Sequence, residues 1–162
     1  MATVTHSATV TLKGDREIVI AREFDAPRHL VYRACTEPDL VKRWWSGRRG
    51  EVTSAVNDLR VGGTWRWVMA AQGGIEVAFH GEYRELVPSE RIVSTEVFEP
   101  LPDETGSLNT ITLEQLDGNR TRMTVHVLHQ RPEHRDAHIG SGMEGGMQEA
   151  YDALEEVARS LA

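Results

Sequence analysis

Turn-forming residues recur at strand-length spacing throughout residues 51–128: Gly62-Gly63, Gln72-Gly73-Gly74, Val87-Pro88-Ser89, the stretch 100–106 and Asp117-Gly118. Such punctuation admits only short extended segments joined by tight connections, and six strands fit between the signals. Within them Trp65, Trp67 and Met69 alternate with Thr64, Arg66 and Val68, and Val77, Phe79, Gly81 and Tyr83 alternate with Glu76, Ala78, His80, Glu82 and Arg84. A period of two with one wetter face is the mark of an antiparallel sheet, and the apolar set is expected to point inward.

The flanking segments complete the order of elements. Residues 9–12 and 17–24 are rich in Val, Ile and Thr around a Gly14-Asp15 break, which reads as one bent strand or two short ones. Asp25-Ala26-Pro27 then gives a helix start, with Leu30, Val31, Ala34 and Cys35 at helical spacing. Thr36-Glu37-Pro38-Asp39 repeats the signal, and Leu40, Val41, Trp44 and Trp45 form the apolar side of a second short helix ending near Gly47. After Arg131-Pro132 a short helical turn leads to Ser141-Gly142-Met143-Glu144, which has the spacing of a capping box. From there Met143, Met147, Ala150, Tyr151, Leu154, Val157 and Leu161 recur every three or four residues, with Glu144, Gln148, Glu149, Asp152, Glu155, Glu156 and Arg159 on the other side.

The predicted fold class is therefore α+β, a curved antiparallel sheet of six or seven strands wrapped around a long C-terminal helix, with residues 1–162 as one domain. A bent sheet and a straight helix do not mate along their full length, so a void between them is filled by large side chains or by a ligand.

Composition removes several function classes. The balance of 18 Lys and Arg against 25 Asp and Glu gives a formal charge of -7, which repels a phosphate backbone, so no nucleic-acid partner is expected. No run approaches the roughly 18 apolar residues of a membrane span. Cys35 is the single cysteine, and Met1-Ala2-Thr3-Val4-Thr5-His6 lacks a basic start and an apolar stretch, so a cytoplasmic location is expected.

Phe24-Asp25-Ala26-Pro27, Trp44-Trp45, Asp58-Leu59-Arg60-Val61-Gly62-Gly63, Phe79-His80-Gly81-Glu82-Tyr83-Arg84-Glu85, residues 92–99 and Ser141-Gly142-Met143-Glu144-Gly145-Gly146-Met147 resemble the helix-grip superfamily called SRPBCC. Within it they are most similar to the bacterial group named after the activator of the heat-shock protein ninety ATPase. The resemblance implies the helix-grip fold. It also implies a range of activities, from lipid carriers and hormone receptors to polyketide cyclases, with a chaperone as a further partner. With residues 1–162 read as one domain, the additional N-terminal domain of the eukaryotic activators is not expected here.

From the residues themselves, the candidate ligand-binding wall is Trp67, Met69, Phe79, Tyr83, Phe98, Met143, Met147 and Tyr151, with Glu96 or His126 as the polar contact. The partner this implies is a small hydrophobic or aromatic molecule. In an enzymatic reading, a cyclase, dehydratase or hydrolase, Glu96 or His126 moves a proton in the same cavity. Core packing is the competing role for the tryptophans and methionines; for Glu96 it is a solvated outer-face position or a structural partnership with Arg66 or His126, and for His126 a hydrogen-bonded structural histidine. His80, His126 and His129 invite a metal, but no two stand four apart and Cys35 is distant in the chain, so no metal is expected. No motif demands a cofactor: the glycine pairs do not lead from a strand into a helix, and Ser94 and Ser141 lack a nucleophile-elbow context. Gly145 and Gly146 inside the long helix mark either a close strand or room for a bound molecule. The open sheet leaves edges on which a homodimer can pair.

Overall fold

The computed structural model describes residues 7–71, 73–102 and 106–162. The N-terminal hexapeptide, Gln72 of the expected second turn and the centre of the expected 100–106 turn lie outside the described residues. Eight strands form one open sheet: β1 (Thr9–Lys13), β2 (Glu17–Phe24), β3 (Gly50–Asn57), β4 (Thr64–Ala71), β5 (Glu76–Val87), β6 (Arg91–Phe98), β7 (Ser107–Leu116) and β8 (Arg120–His129). Their order is β1-β2-β8-β7-β6-β5-β4-β3, antiparallel throughout. The count exceeds the expected six or seven because residues 9–24 turn at Gly14 (φ 58°) and make two strands. Pairing of β2 with β8, Ile18 opposite Val127 and Ile20 opposite Val125, joins the N-terminal hairpin to the end of the meander.

Between β2 and β3 run α1 (Arg28–Thr36) and α2 (Pro38–Val41); after β8 come α3 (Pro132–Gly140) and the long α4 (Met143–Ser160). Helix α2 is a single turn. The two tryptophans follow it in a chain of tight turns through residues 42–49, where Trp44 is held by donating its Nε1–H to the Ala34 carbonyl at 2.9 Å. The short turn expected after Arg131 is a nine-residue helix.

Curvature originates in β5. A Cβ placed on Gly81 would lie 1.8 Å from the Thr95 carbonyl oxygen, so only glycine lets β6 approach this closely. Trp65 donates its indole N–H to that same oxygen at 3.2 Å. The β5–β6 register then slips between Tyr83 and Glu85, and β3 carries a second irregularity between Val52 and Ser54. Such bulges bend and twist the strands that contain them.

The concave face carries the core. Inward residues of β2 and β8, including Ile18, Ile20, Phe24, Met123, Val125 and Val127, meet Leu154, Val157 and Ala158 of α4 and Leu30, Val31 and Ala34 of α1. One inward position of β2 is Arg22, whose side chain is 1% exposed. Its Nη1 lies 2.6 Å from Asp152 and its Nη2 3.6 Å from Glu155, both on α4, and its guanidinium carbon lies 5.0 Å from the Phe24 ring centroid. This clamp ties the C-terminal half of α4 to the sheet.

Two expectations about α4 need correction. Ser141 does not cap it. As the residue that ends α3, Ser141 donates its hydroxyl to the His138 carbonyl at 2.6 Å, and Gly142 supplies the left-handed turn (φ 81°) that starts α4. Gly145 and Gly146 face neither a strand nor a void but the Arg49 side chain, whose Nη2 would lie 2.7 Å from a Cβ on Gly145.

Gly81→Ala is expected to lower the unfolding free energy by about 3 kcal/mol. Gly140→Ala, where a Cβ meets nothing within 4 Å, is expected to be neutral or stabilising by about 0.5 kcal/mol; urea denaturation of the two variants tests the contrast. Removing both acids of the clamp, Asp152→Ala with Glu155→Ala, leaves a buried unpaired guanidinium and is expected to cost about 3–5 kcal/mol in the same measurement.

Candidate ligand cavity and its polar end

Strand register assembles the polar end of a cavity. Glu96 on β6 stands opposite Ser107 on β7, and Ser107 stands opposite His129 on β8. With strands about 4.8 Å apart, this row spans roughly 10 Å across the concave face. Helix α3 folds back over the row and contributes His134, Ala137 and His138, while Ser141 and Met143 continue the wall into α4. Phe79, Phe98 and Leu101 complete the lining of a half-open cavity of about 400 Å³. Phe79 and Phe98 are cross-strand partners with ring centroids 4.9 Å apart, and Trp45 backs Phe79 at 4.7 Å.

The polar groups form two sets. Asn109 donates its Nδ2–H to Glu96 Oε2 at 2.8 Å and accepts the Ser107 hydroxyl at 3.0 Å. Burial raises the Glu96 carboxyl above its ordinary value, an effect the Asn109 hydrogen bond opposes. Across the row, His129 Nε2 lies 3.0 Å from His138 Nδ1, joining β8 to α3. Burial, followed by the neighbouring His138, His134 and Arg135, lowers His129 to about 4, and burial also lowers His138. Both rings are neutral near pH 7. The Nδ1 atoms of His129 and His134 are buried without a partner. Burial elsewhere in the interior pushes the Cys35 thiol up to about 12 and raises Tyr151, which keeps both protonated.

Of the residues singled out from sequence, Glu96, Phe79, Phe98 and Met143 line this cavity. Trp67 and Tyr83 are buried instead: Trp67 packs on Trp65 at 5.2 Å, and the Tyr83 hydroxyl accepts from Asn57 Nδ2 at 3.0 Å. Met69 and Met147 are half-buried against the core, and Tyr151 lies between Phe24 and Trp44 at 6.2 and 6.5 Å. His126 is on the opposite face of β8, its Nδ1 2.7 Å from the Glu17 carboxylate, because strand parity sends Val125, Val127 and His129 inward. His80 likewise pairs outside with Glu99 at 2.9 Å. The polar residues that sequence reasoning did not assign to the cavity are Ser107, His129, His134, His138 and Ser141. His134 and His138 stand four apart on a helix, a spacing visible in the sequence.

Three imidazoles in one cavity still make no metal centre, since among the described residues no group of three His, Cys, Asp or Glu is disposed to hold an ion. A wider depression of about 540 Å³ between Arg28, Glu90 and Gln115 is open to solvent, and its Arg28 and Glu90 pair with each other at 3.5 Å. Among the described residues no helix is long and apolar enough to cross a membrane.

Comparison with solved structures places the same architecture in several bacteria. A protein of Rhodobacter sphaeroides superimposes with a TM-score of 0.87 at 25% identity, over 95% of this chain and 99% of that one. One of Nitrosomonas europaea gives 0.82 at 25% identity, over 92% and 97%, and one of Chromobacterium violaceum gives 0.74 at 28% identity, over 87% and 96%. None of the curated proteins matches the chain by sequence. Residues 25–159 match the family described as activator of Hsp90 ATPase homolog 1-like protein. That match takes in both short helices, the bent meander and the closing helix, so the chain belongs to the activator of Hsp90 ATPase homolog 1-like family.

Proposed function

We propose that this protein binds a small hydrophobic or aromatic molecule in the cavity between the sheet, α3 and α4. The observation that carries the reading is a half-open cleft of about 400 Å³ lined by Phe79, Phe98, Leu101 and Met143 around a converging polar end at Glu96, His129 and His138. An apolar chamber with a few aimed polar groups is the usual form of a small-molecule site. A single cysteine, which can form no internal disulfide, is in keeping with a cytoplasmic carrier or sensor.

Enzymatic proton transfer is the second reading, and the raised carboxyl of Glu96 favours it. Chaperone activation is supported by the family name alone.

Native mass spectrometry of freshly purified protein, followed by extraction, is expected to recover a discrete apolar molecule, and Met143→Trp, which fills the chamber, is expected to lose it. A species retained equally by that variant would count against the cavity. If Glu96 transfers a proton, Glu96→Gln keeps the ligand and loses turnover by about 100-fold or more. Recovery of a chaperone with no small molecule, together with a changed chaperone ATPase rate, would favour the family-name reading.

The polar end also has a pH signature. An unfolded histidine titrates near 6.5, whereas His129 in the fold titrates near 4, so between these values the unfolded chain binds the proton that the native state refuses. Stability is expected to fall as pH drops from about 6.5 to about 4. Glu96 works in the opposite direction, because its raised carboxyl makes the native state the better proton binder above 4.5. Comparing wild type with His129→Gln isolates the imidazole: the urea midpoint of the variant should change less between pH 7 and pH 4.5, and equal slopes would remove the buried neutral His129 from the account.

A further inference from the structure

The charge chemistry of the cavity narrows what it can hold. Among the described residues lining it there is no lysine or arginine. The two buried arginines are committed elsewhere: Arg22 to Asp152 and Glu155, and Arg135 to Asp136 and to the carbonyls of Gly14 and Glu17. The polar wall consists of a carboxyl group, hydroxyls and imidazoles, with Glu96 Oε2 and the Ser107 hydroxyl already bonded to Asn109. Glu96 Oε1 is left for an occupant, and the Nδ1 atom of His129, a residue 5% exposed, is buried without a partner.

An anionic head group entering this space would lose its hydration and meet no lysine or arginine on the lining to compensate. When Glu96 is ionised, its own charge adds repulsion. An uncharged head such as a phenol, ketone or amide faces neither cost and can exchange hydrogen bonds with Glu96 and the imidazole wall, while Phe79 and Phe98 offer an aromatic surface to the body of the ligand. We propose that the cavity takes aromatic ligands whose polar head is uncharged and rejects their anionic counterparts. The inference rests on the ligand-binding reading above and adds the class of ligand.

Two fluorescent arylamines test it at pH 7: N-phenyl-1-naphthylamine is uncharged, and 8-anilinonaphthalene-1-sulfonate is the same body bearing a sulfonate. The uncharged probe is expected to bind wild type at least about tenfold more tightly, a gap of about 1.4 kcal/mol. Apolarity alone would give the same ranking, so the variants decide the matter. Glu96→Gln removes the negative group and Ala137→Lys adds an ammonium at the exposed rim of the cavity. Each is expected to shift the ratio of the two affinities toward the sulfonate by about fivefold or more. Met143→Trp, with Ala137→Trp as a second blocking variant should the first fold poorly, is expected to abolish binding of the uncharged probe. If both probes bind, both are lost on blocking, and neither charge variant alters their ratio, charge selection is overturned while the cavity stands. If the uncharged probe fails to bind, or binds equally to both blocked variants, the ligand-binding reading falls and this inference with it.

Discussion

Everything in the interior depends on how α4 is held against a sheet that curves away from it. Arg22 occupies an inward position of β2 that the strand pattern would give to an aliphatic residue, and it reaches Asp152 and Glu155 on the helix. A buried guanidinium contributes little net stability compared with well-packed hydrocarbon, but it admits one arrangement of its partners and punishes the others. Around it the helix seals down: Ala150, Leu154, Val157 and Ala158 are buried. Toward its N-terminus Met143 and Met147 are only half-buried, and Met143 lines the cavity. One end of the helix is thus fixed by charge and packing, and the other is left to roof a chamber.

The same geometry explains why the polar residues gather where they do. A buried carboxyl or imidazole beside Leu154 would be an unpaired group in a dense core and would destabilise the fold. Beside the chamber, Glu96 and Ser107 are joined through Asn109, and His129 is joined to His138 on α3. Cross-strand register places Glu96, Ser107 and His129 in one row, so three consecutive strands of the meander share a single chemical surface. Helix α3 is held over that surface from its outer side, where Arg135 donates to the carbonyls of Gly14 and Glu17 at the β1–β2 hairpin.

The fold was largely legible in the residues, since alternation in 64–84, the turns at Gly62-Gly63 and Asp117-Gly118 and the stripe from Met143 onward each report local structure directly. The site was legible only in part. Glu96 was found through its isolation in an apolar strand, yet His126 was preferred to His129 because parity in β8 depends on its pairing with β2 and β7, a non-local fact. The histidines of α3 escape the sequence for a different reason: the residues after Arg131-Pro132 predict only a short helical turn, too brief for the i, i+4 spacing of His134 and His138 to define a face, whereas the structure has a nine-residue helix there. Trp67 and Tyr83 were assigned to the cavity wall on size and polarity, but a curved sheet has more concave surface than one ligand can cover, and most of it is filled by its own aromatic side chains.

Curvature and chemistry are therefore separable in this molecule. The bend rests on Gly81 against the Thr95 carbonyl, and the closure rests on Arg22; neither feature lines the cavity. The cavity side chains sit on strands and helices whose backbone positions are fixed by those distant contacts, so they can change identity while the architecture is retained. Solved structures at about a quarter identity share this architecture, and the shared frame by itself carries no information about ligand. Under the proposed ligand-binding reading, what this chain binds is set by the row of Glu96, Ser107 and His129 and by the residues that α3 brings over it. In this chain that row meets neutral imidazoles and no fixed cation among the described lining residues, which is a specification written in hydrogen bonds rather than in net charge.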